Sequence, residues 1–328
     1  MNIKDKSNMP RISVVIPTYN RPQLTCEAIE SVLKQTFTDF EVIVVDDGSS
    51  DNTREAIATL KDPRIRYIYQ HNQGVSVAMN TAIKASGAEY IAILDSDDVL
   101  FEEALRKGIE FMDQHPDAGF CYGQVSTMDK SGHNLREKRF RGPKTTRVVN
   151  KEKELVELLS GESYIGHYIA RRSCFEEIGL FKPELRMSED WDMWIRLASR
   201  YNAGHIAEPT VKARFHVQGM TAKSKVETVK KYHVEVLEAF FQDPELGPRY
   251  RHLRKKAYFG LHCLLARVAA LTGHKFLAIK HFIIAPGIYP AAIWDVKALL
   301  LLAGSYKVLL PQSLRNVIVN ALIKMRLR

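Results

Sequence analysis

Three carboxylates, Asp95, Asp97 and Asp98, follow directly on the apolar run Tyr90-Ile91-Ala92-Ile93-Leu94. A short apolar run bounded by polar residues predicts a buried strand. The acids would then lie at the edge of a sheet, where α/β proteins bind their ligands. Acidic groups this close repel one another unless a cation sits among them. Hard oxygen ligands suit Mg²⁺ or Mn²⁺, which bridge a carboxylate or two to substrate phosphates. Asp-rich loops also serve as turns and helix caps, so this cluster alone leaves a metal–diphosphate site and a plain turn both open.

Two further polar clusters occupy equivalent positions. Asp46-Asp47-Gly48-Ser49-Ser50 follows the apolar run 40–45, and Pro17-Thr18-Tyr19-Asn20 follows the β-branched run 12–16. If these runs are parallel strands, all three clusters face one crevice. An aromatic ring and a carboxylate acceptor are what a nucleobase needs, a face to stack on and a partner for a ring N–H. Asp-Gly-Ser-Ser is also a routine turn. Three such clusters after three strands point together to a binding site.

The elements that must position these residues alternate in type. Residues 12–16 predict a strand stopped by Pro17, and positions 24, 28, 29, 32 and 33 fall on one helical face. Asp51 or Asn52 caps a short helix through residue 60, and 65–69 predicts another strand. Val75, Ala78, Met79, Ala82 and Ile83 trace a helix closed by Gly87 at its C-cap. This alternation predicts a parallel, doubly wound sheet covered by helices. Beyond it come a strand over 119–128, a turn at 129–132, an exposed basic loop over 136–147 and a helix over 152–159. Ser188-Glu189-Asp190-Trp191-Asp192-Met193-Trp194 opens another helix, with Ser188 as N-cap and acids at the positive end of the dipole.

The 328 residues leave room for two domains, or one α/β domain with an appendage. Cys26, Cys121, Cys174 and Cys263 form no pairing pattern, which indicates free thiols in a reducing compartment. Residues 1–10 are polar and lack the apolar stretch of a signal peptide, so the expected location is the cytoplasm. Residues 223–328 hold 18 Lys/Arg and 6 Asp/Glu, leaving 29 basic and 32 acidic residues for the rest. A mildly acidic body with a strongly basic tail points to an anionic partner for the tail. Helical segments are predicted at 229–242 and 250–271. The uncharged core of the most apolar stretch, 298–306, is too short to span a bilayer, and 318–328 is amphipathic. The tail is expected to attach peripherally to the inner face of the cell membrane. A helical cap on the catalytic domain is the alternative, and no nucleic-acid partner is expected.

The motifs in order resemble those of the family 2 glycosyltransferases, which have the GT-A fold. The matching residues are Val14-Val15-Ile16-Pro17-Thr18-Tyr19-Asn20-Arg21, Ser31-Val32-Leu33-Lys34-Gln35-Thr36-Phe37 and Val44-Val45-Asp46-Asp47-Gly48-Ser49-Ser50-Asp51. Asn72-Gln73-Gly74, Leu94-Asp95-Ser96-Asp97-Asp98 and Ser188-Glu189-Asp190-Trp191-Asp192 complete them. The resemblance covers about residues 11–221. It implies a Rossmann-like, mostly parallel sheet with helices on both faces, followed by an α-helical C-terminal region. The division expected is a flexible N-terminus at 1–10, a catalytic domain at 11–222 and a basic helical region at 223–328.

The resemblance also implies roles. Thr18, Tyr19 and Asp47 fall where the family holds the base and ribose of a nucleotide sugar, usually UDP-linked. Pro17, Asn20, Arg21, Asp46, Gly74, Asp95, Ser96 and Arg214 join this donor set. Asp97 is the expected direct ligand of a divalent metal, Mn²⁺ or Mg²⁺, with Asp95 beside it. Asp190 matches the general base of an inverting transfer, Glu189 shares that role or binds an acceptor hydroxyl, and Trp191 stacks on the acceptor. Trp194 is expected in the core. Arg214-Phe215-His216 resembles the family's Arg-x-His motif, with His216 at the metal or phosphate, and residues 219–224 have the composition of a lid. The acceptor implied is a saccharide or lipid-linked glycan in surface polysaccharide or glycan synthesis. A nucleotide-sugar-binding or scaffold protein without turnover is the second class. A sugar nucleotidyltransferase is the third, disfavoured because no Gly-rich basic segment follows the first strand.

Overall fold

The computed structural model describes residues 9–129, 131–133, 144–161, 163, 165–214 and 225–293, the last two as backbone only from 292. His216, segment 219–224 and the tail segments 298–306 and 318–328 lie outside the described residues, as does most of the basic loop. Two compact units divide the chain: Met1–Glu154 with Tyr164–Phe215, and Leu155–Ser163 with His216–Arg328.

In the first unit, β1 (Ile12–Thr18), β2 (Phe40–Asp46), β3 (Ile65–Tyr69) and β4 (Tyr90–Ile93) are parallel, in the spatial order β3-β2-β1-β4. Helices α1 (Pro22–Leu33), α2 (Thr53–Ala58) and α3 (Val75–Ala85) connect them. β1 is buried throughout. Val14, Ile16, Val42, Val44 and Ala92 belong to one core cluster with Ala28, Ile29 and Val32 of α1. Each such Val or Ile contributes roughly 1.5–3 kcal/mol by leaving water, which is what holds the strand ends in place.

Two local expectations are corrected. Pro17 does not stop β1, which runs on to Thr18. The β1–β4 ladder ends at Val15↔Ile93, so the missing N–H falls on the side where pairing has already ceased. Gly87 does not cap α3 either. The helix ends at Ser86, whose extended backbone (ψ 144°) turns the chain toward β4.

The sheet then becomes mixed. After β5 (Val99–Leu100) and α4 (Ala104–Gln114) come β6 (Ala118–Met128), β7 (Arg147–Val149), α5 (Lys151–Leu159), which passes into the second unit from Leu155, and β8 (Tyr168–Arg171). The unit closes with α6 (Arg172–Ile178), α7 (Glu189–Arg200) and β9 (Asn202–Arg214). β8 is inserted antiparallel between β4 and β6, and β9 lies parallel to β6. In this register Tyr168 stands opposite Ile93, two residues before Asp95.

The second unit is helical: α8 (Val226–Gln242), α9 (Leu246–Tyr250), a 3₁₀ turn (Arg251–Leu253), α10 (Arg254–Leu271) and α11 (Lys275–Ile288). Glu238 of α8 accepts from Arg254 at 2.6 Å and from the Tyr258 hydroxyl. α10 and α11 pack through the His262–His281 pair (3.0 Å between Nδ1 atoms) and the Phe259–Tyr289 ring contact.

Candidate functional site

Three turns meet at the C-terminal edge of the parallel strands. The Asn20 amide donates to Ser49 Oγ at 2.8 Å, and the Ser50 amide donates to Asn20 Oδ1 at 2.8 Å. Asn20 holds φ at 51°, a left-handed conformation that Asn tolerates better than most residues. Pro17 is buried within β1, and Tyr19 stands out 48% exposed. The Thr25 hydroxyl donates to the Arg21 carbonyl, which leaves the Thr18 hydroxyl as donor in their 2.6 Å contact. Thr18 is therefore turned inward.

Asp46 and Asp47 are both buried and do different work. Asp46 accepts from the Ser49 amide at 2.8 Å and the Tyr67 hydroxyl at 2.6 Å, so both oxygens build the turn. Burial and the Asp46 carboxylate together push the Tyr67 hydroxyl well above its ordinary pKa. Asp47 Oδ1 accepts from the Gln73 amide and Gln70 Nε2, and Oδ2 accepts from the Gly74 amide at 2.7 Å. Asp47 thus pulls the β3–α3 loop over the end of β2. Each carboxylate oxygen has two lone pairs, so Oδ2 keeps acceptor capacity for a ligand N–H or hydroxyl. Gly74 has φ 96°, and a Cβ there would lie 2.2 Å from Arg186 Nη1. Gly48 has φ 86°, and a Cβ there would meet the Asn72 amide nitrogen at 2.7 Å. Neither position takes a side chain without the loop moving.

The acidic cluster follows β4 directly. Asp95 is open to solvent, yet enough protein surrounds it to push its carboxyl up to about 7, with the charges of Asp97 and Asp190 adding to the burial. Ser96 is buried, and Asp98 is buried with its carboxyl pushed well up by the same crowding. Asp98 Oδ1 accepts from the Arg214 amide at 2.9 Å, which ties that carboxylate to the end of β9. Asp97 Oδ2 takes Arg21 Nη1 at 2.9 Å. Arg214 reaches the Asp97 carbonyl at 3.0 Å through Nε and pairs with Glu27 through Nη2. Among the described residues no three His, Cys, Asp or Glu side chains form a metal cage. The donor set fits a metal in another way. Asp95 and Asp97 are two hard carboxylates whose mutual repulsion a cation relieves, and Mg²⁺-type sites complete such pairs with substrate phosphates.

Opposite Asp95 in this charge field stands the start of α7. Ser188 occupies the N-cap position in a left-handed conformation (φ 65°), with no side-chain capping bond from its hydroxyl. The approach to it is clamped by α3: Ser76 donates to the Leu185 carbonyl, and Asn80 exchanges two bonds with Phe181. Arg186 donates to the Gln73 carbonyl at 2.7 Å, tying this segment to the Asp47 loop. Asp190 is open to solvent, accepts from the Trp191 amide at 2.7 Å, and has its pKa raised by the surrounding protein. Glu189 is buried and pushed up to about 8, first by burial and then by Asp190. Its Oε2 has no partner among the described residues. Asp192 is different: Lys182 at 2.7 Å and Arg196 at 2.8 Å neutralise it, so it anchors the helix. Trp191 is half-buried, and Trp194 is buried in accord with its expected place in the core.

Tyr168 was not among the residues singled out in the sequence. Its hydroxyl is buried, has no partner among the described residues, and is raised mainly by burial, with smaller effects from the charges of Asp190 and Asp95. An unpaired buried hydroxyl destabilises a fold unless something bound satisfies it. Tyr168→Phe is therefore expected to leave thermal stability equal or higher while slowing turnover by roughly tenfold, about 1.4 kcal/mol of barrier. Thermal melts and steady-state rates on the same preparation check both halves.

The sequence profile described as "Glycosyl transferase family 2" matches residues 13–179, half of the chain, including every cluster from Thr18 to Asp97. A protein of Rickettsia bellii described as an uncharacterized glycosyltransferase is 33% identical over 215 residues, 64% of this chain and 30% of its own length. The chain spans 30–41% of the length of three such Rickettsia relatives. Staphylococcus aureus TarS 1-349, solved in complex with UDP-GlcNAc, superposes with a TM-score of 0.56 at 20% identity, covering 85% of this chain and 88% of that one. The mannosyltransferase PcManGT of Pyrobaculum calidifontis, solved with GDP-Man and Mn²⁺, gives 0.57 at 19% identity, covering 98% and 88%. These two likenesses establish the GT-A architecture with its C-terminal helical region. With that fold, the ordered clusters at its strand ends and a profile match through them, the chain belongs to glycosyl transferase family 2.

Proposed function

We propose that the protein is an inverting glycosyltransferase that moves a sugar from a nucleotide-sugar donor, UDP-linked, to a hydroxyl of a saccharide or lipid-linked acceptor in surface polysaccharide or glycan synthesis. One observation carries the reading. Asp95 just after β4 and Asp190 at the start of α7 are far apart in sequence, yet Asp190 stands close enough for its charge to raise the Asp95 carboxyl. A leaving-group side and a proton-accepting side are what a single displacement at an anomeric carbon needs. The solved relatives' nucleotide-sugar ligands support the donor class.

In this reading Tyr19 offers its exposed ring to the base and Asp47 Oδ2 accepts from the nucleoside. Arg21 supplies positive charge at the diphosphate, Arg214 braces the Asp97 backbone with its side chain paired to Glu27, and Asp95 and Asp97 would hold a divalent cation. When bound, that cation neutralises charge on the departing diphosphate. Asp190 takes the proton from the acceptor hydroxyl as its oxygen bonds to the anomeric carbon and the bond to the diphosphate breaks. Trp191 and Glu189 line the acceptor side, and Glu189, its carboxyl pushed up by burial and by Asp190, hydrogen-bonds an acceptor hydroxyl.

The raised pKa of Asp190 has a readable consequence. A base works only when deprotonated, so activity is gained as pH rises through its pKa. The acid limb of the kcat profile is expected above the usual Asp range near 4, measured as kcat against pH with saturating donor. The function itself is tested by a screen of nucleotide sugars with Mn²⁺, reading nucleoside diphosphate release. Release of pyrophosphate from a nucleoside triphosphate and a sugar 1-phosphate, with none of the nucleotide sugars turned over, would make the protein a nucleotidyltransferase, and donor binding without turnover would make it a binding protein.

A further inference from the structure

The second unit carries an exposed apolar stripe. Helix α11 is apolar on two opposite faces. Ala278, His281 and Ala285 are buried, and with 3.6 residues per turn they share the face packed on α10. Phe276, Ile279 and Ile283 fall on the other side, spaced three and four residues apart, and are 91%, 46% and 66% exposed. Leu271, at the end of α10, is 52% exposed. A helix that is apolar all round is buried somewhere in its working state.

Charge identifies what buries it. On the helical wheel the exposed Lys275 and Lys280 flank the apolar stripe, one on each side. From Leu246 to Ile293 the sequence holds eight Lys/Arg and no Asp or Glu. Arg254 is committed to Glu238 of α8, and the remaining excess is positive. Arg251, Arg254 and Lys255, with Tyr258 and Ile288, also line a recess of about 440 Å³ in this unit. An apolar stripe edged by long cationic stems is suited to a lipid interface, where the rings and methyls enter the acyl boundary and the ammonium groups reach the headgroups. A stable protein interface engages about 20–30 residues a side, far more than this stripe offers. Among the described residues no helix is long and apolar enough to cross a membrane.

We propose that α11 is a monotopic membrane-docking helix that lays Phe276, Ile279 and Ile283 into an anionic lipid surface, the inner leaflet of a cell membrane. The proposal does not depend on the glycosyltransferase reading, because its readout is binding. The test uses the full chain in cosedimentation with vesicles of phosphatidylcholine alone or with a third phosphatidylglycerol, at low and high salt. Binding to the anionic vesicles, weakened at least tenfold by F276D/I283D at unchanged melting temperature, is expected. K275E/K280E is expected to weaken binding and flatten its salt dependence. A Phe276→Cys variant carrying an environment-sensitive dye should respond only when anionic vesicles are added.

Three results overturn the proposal. One is no binding of the wild-type chain to anionic vesicles. Another is binding that F276D/I283D leaves intact, which moves the contact elsewhere. The third is a dye already shielded in the free protein, which assigns the stripe to residues 294–328 or to a second copy. Sedimentation velocity of F276D/I283D then tells these two apart.

Discussion

Asp190→Asn is expected to lower kcat by roughly 10³-fold, within the 10²–10⁴ range of general-base catalysis, while donor affinity changes less than about threefold. The substitution keeps the oxygen that accepts from the Trp191 amide, so the first turn of α7 retains its shape. What it removes is the proton acceptor. The neighbouring acid provides the control. Asp192 is clamped between Lys182 and Arg196, and Asp192→Asn leaves those two cations facing a neutral amide. Its cost falls on stability, by roughly 1.5–3 kcal/mol, the scale of a hydrogen bond to a charged group, because both cations are partly exposed. Calorimetry and single-turnover transfer assays on the two variants should give opposite patterns. A fall in melting temperature without loss of chemistry in Asp190→Asn would remove Asp190 from the reaction.

The second large effect is expected at Asp97. Asp97→Ala should reduce kcat/KM by roughly 10²–10³-fold and bring donor affinity in Mn²⁺ down to the level seen with a chelator. The contact with Arg21 makes the result interpretable. Arg21 already places one positive charge on Asp97 Oδ2, so Asp97→Ala also frees a guanidinium. Arg21→Ala is expected to weaken donor binding while leaving its metal dependence in place. If both variants lose stability equally and neither alters the metal response, the pair is a structural brace and the cation lies elsewhere. Isothermal titration of donor with and without Mn²⁺ separates these outcomes.

Much of the site was legible because its signals are local. Carboxylates placed directly after apolar runs stay at strand ends wherever those strands pack. For that reason Asp46, Asp47, Asp95 and Asp97 could be assigned to one edge before any pairing was known. The parallel order of β1 to β4 follows from the same alternation. Less legible was how each acid is spent. Asp46 and Asp47 look equivalent in sequence, yet one builds its own turn with Ser49 and Tyr67 while the other binds the Gln73–Gly74 backbone. Ser188 looks like a side-chain N-cap and instead supplies a left-handed kink that aims Glu189 and Asp190. Local rules report which residue types suit a position. They do not report which partner, dozens of residues away, reaches the atoms first.

By itself the sequence determined the strand–helix alternation, the acidic edge and the basic excess of the last hundred residues. Each of these depends on period, composition or adjacency along the chain. The tertiary structure decided the rest. Antiparallel insertion of β8 beside β4 brings Tyr168 to the acidic edge, and Arg21 meets Asp97 across 76 positions. The packing of α10 on α11 leaves one of two similar apolar faces exposed. The physical reason is common to all three. A register or a packing face is chosen by the summed burial and hydrogen bonding of whole elements, and no single residue or short motif carries that sum.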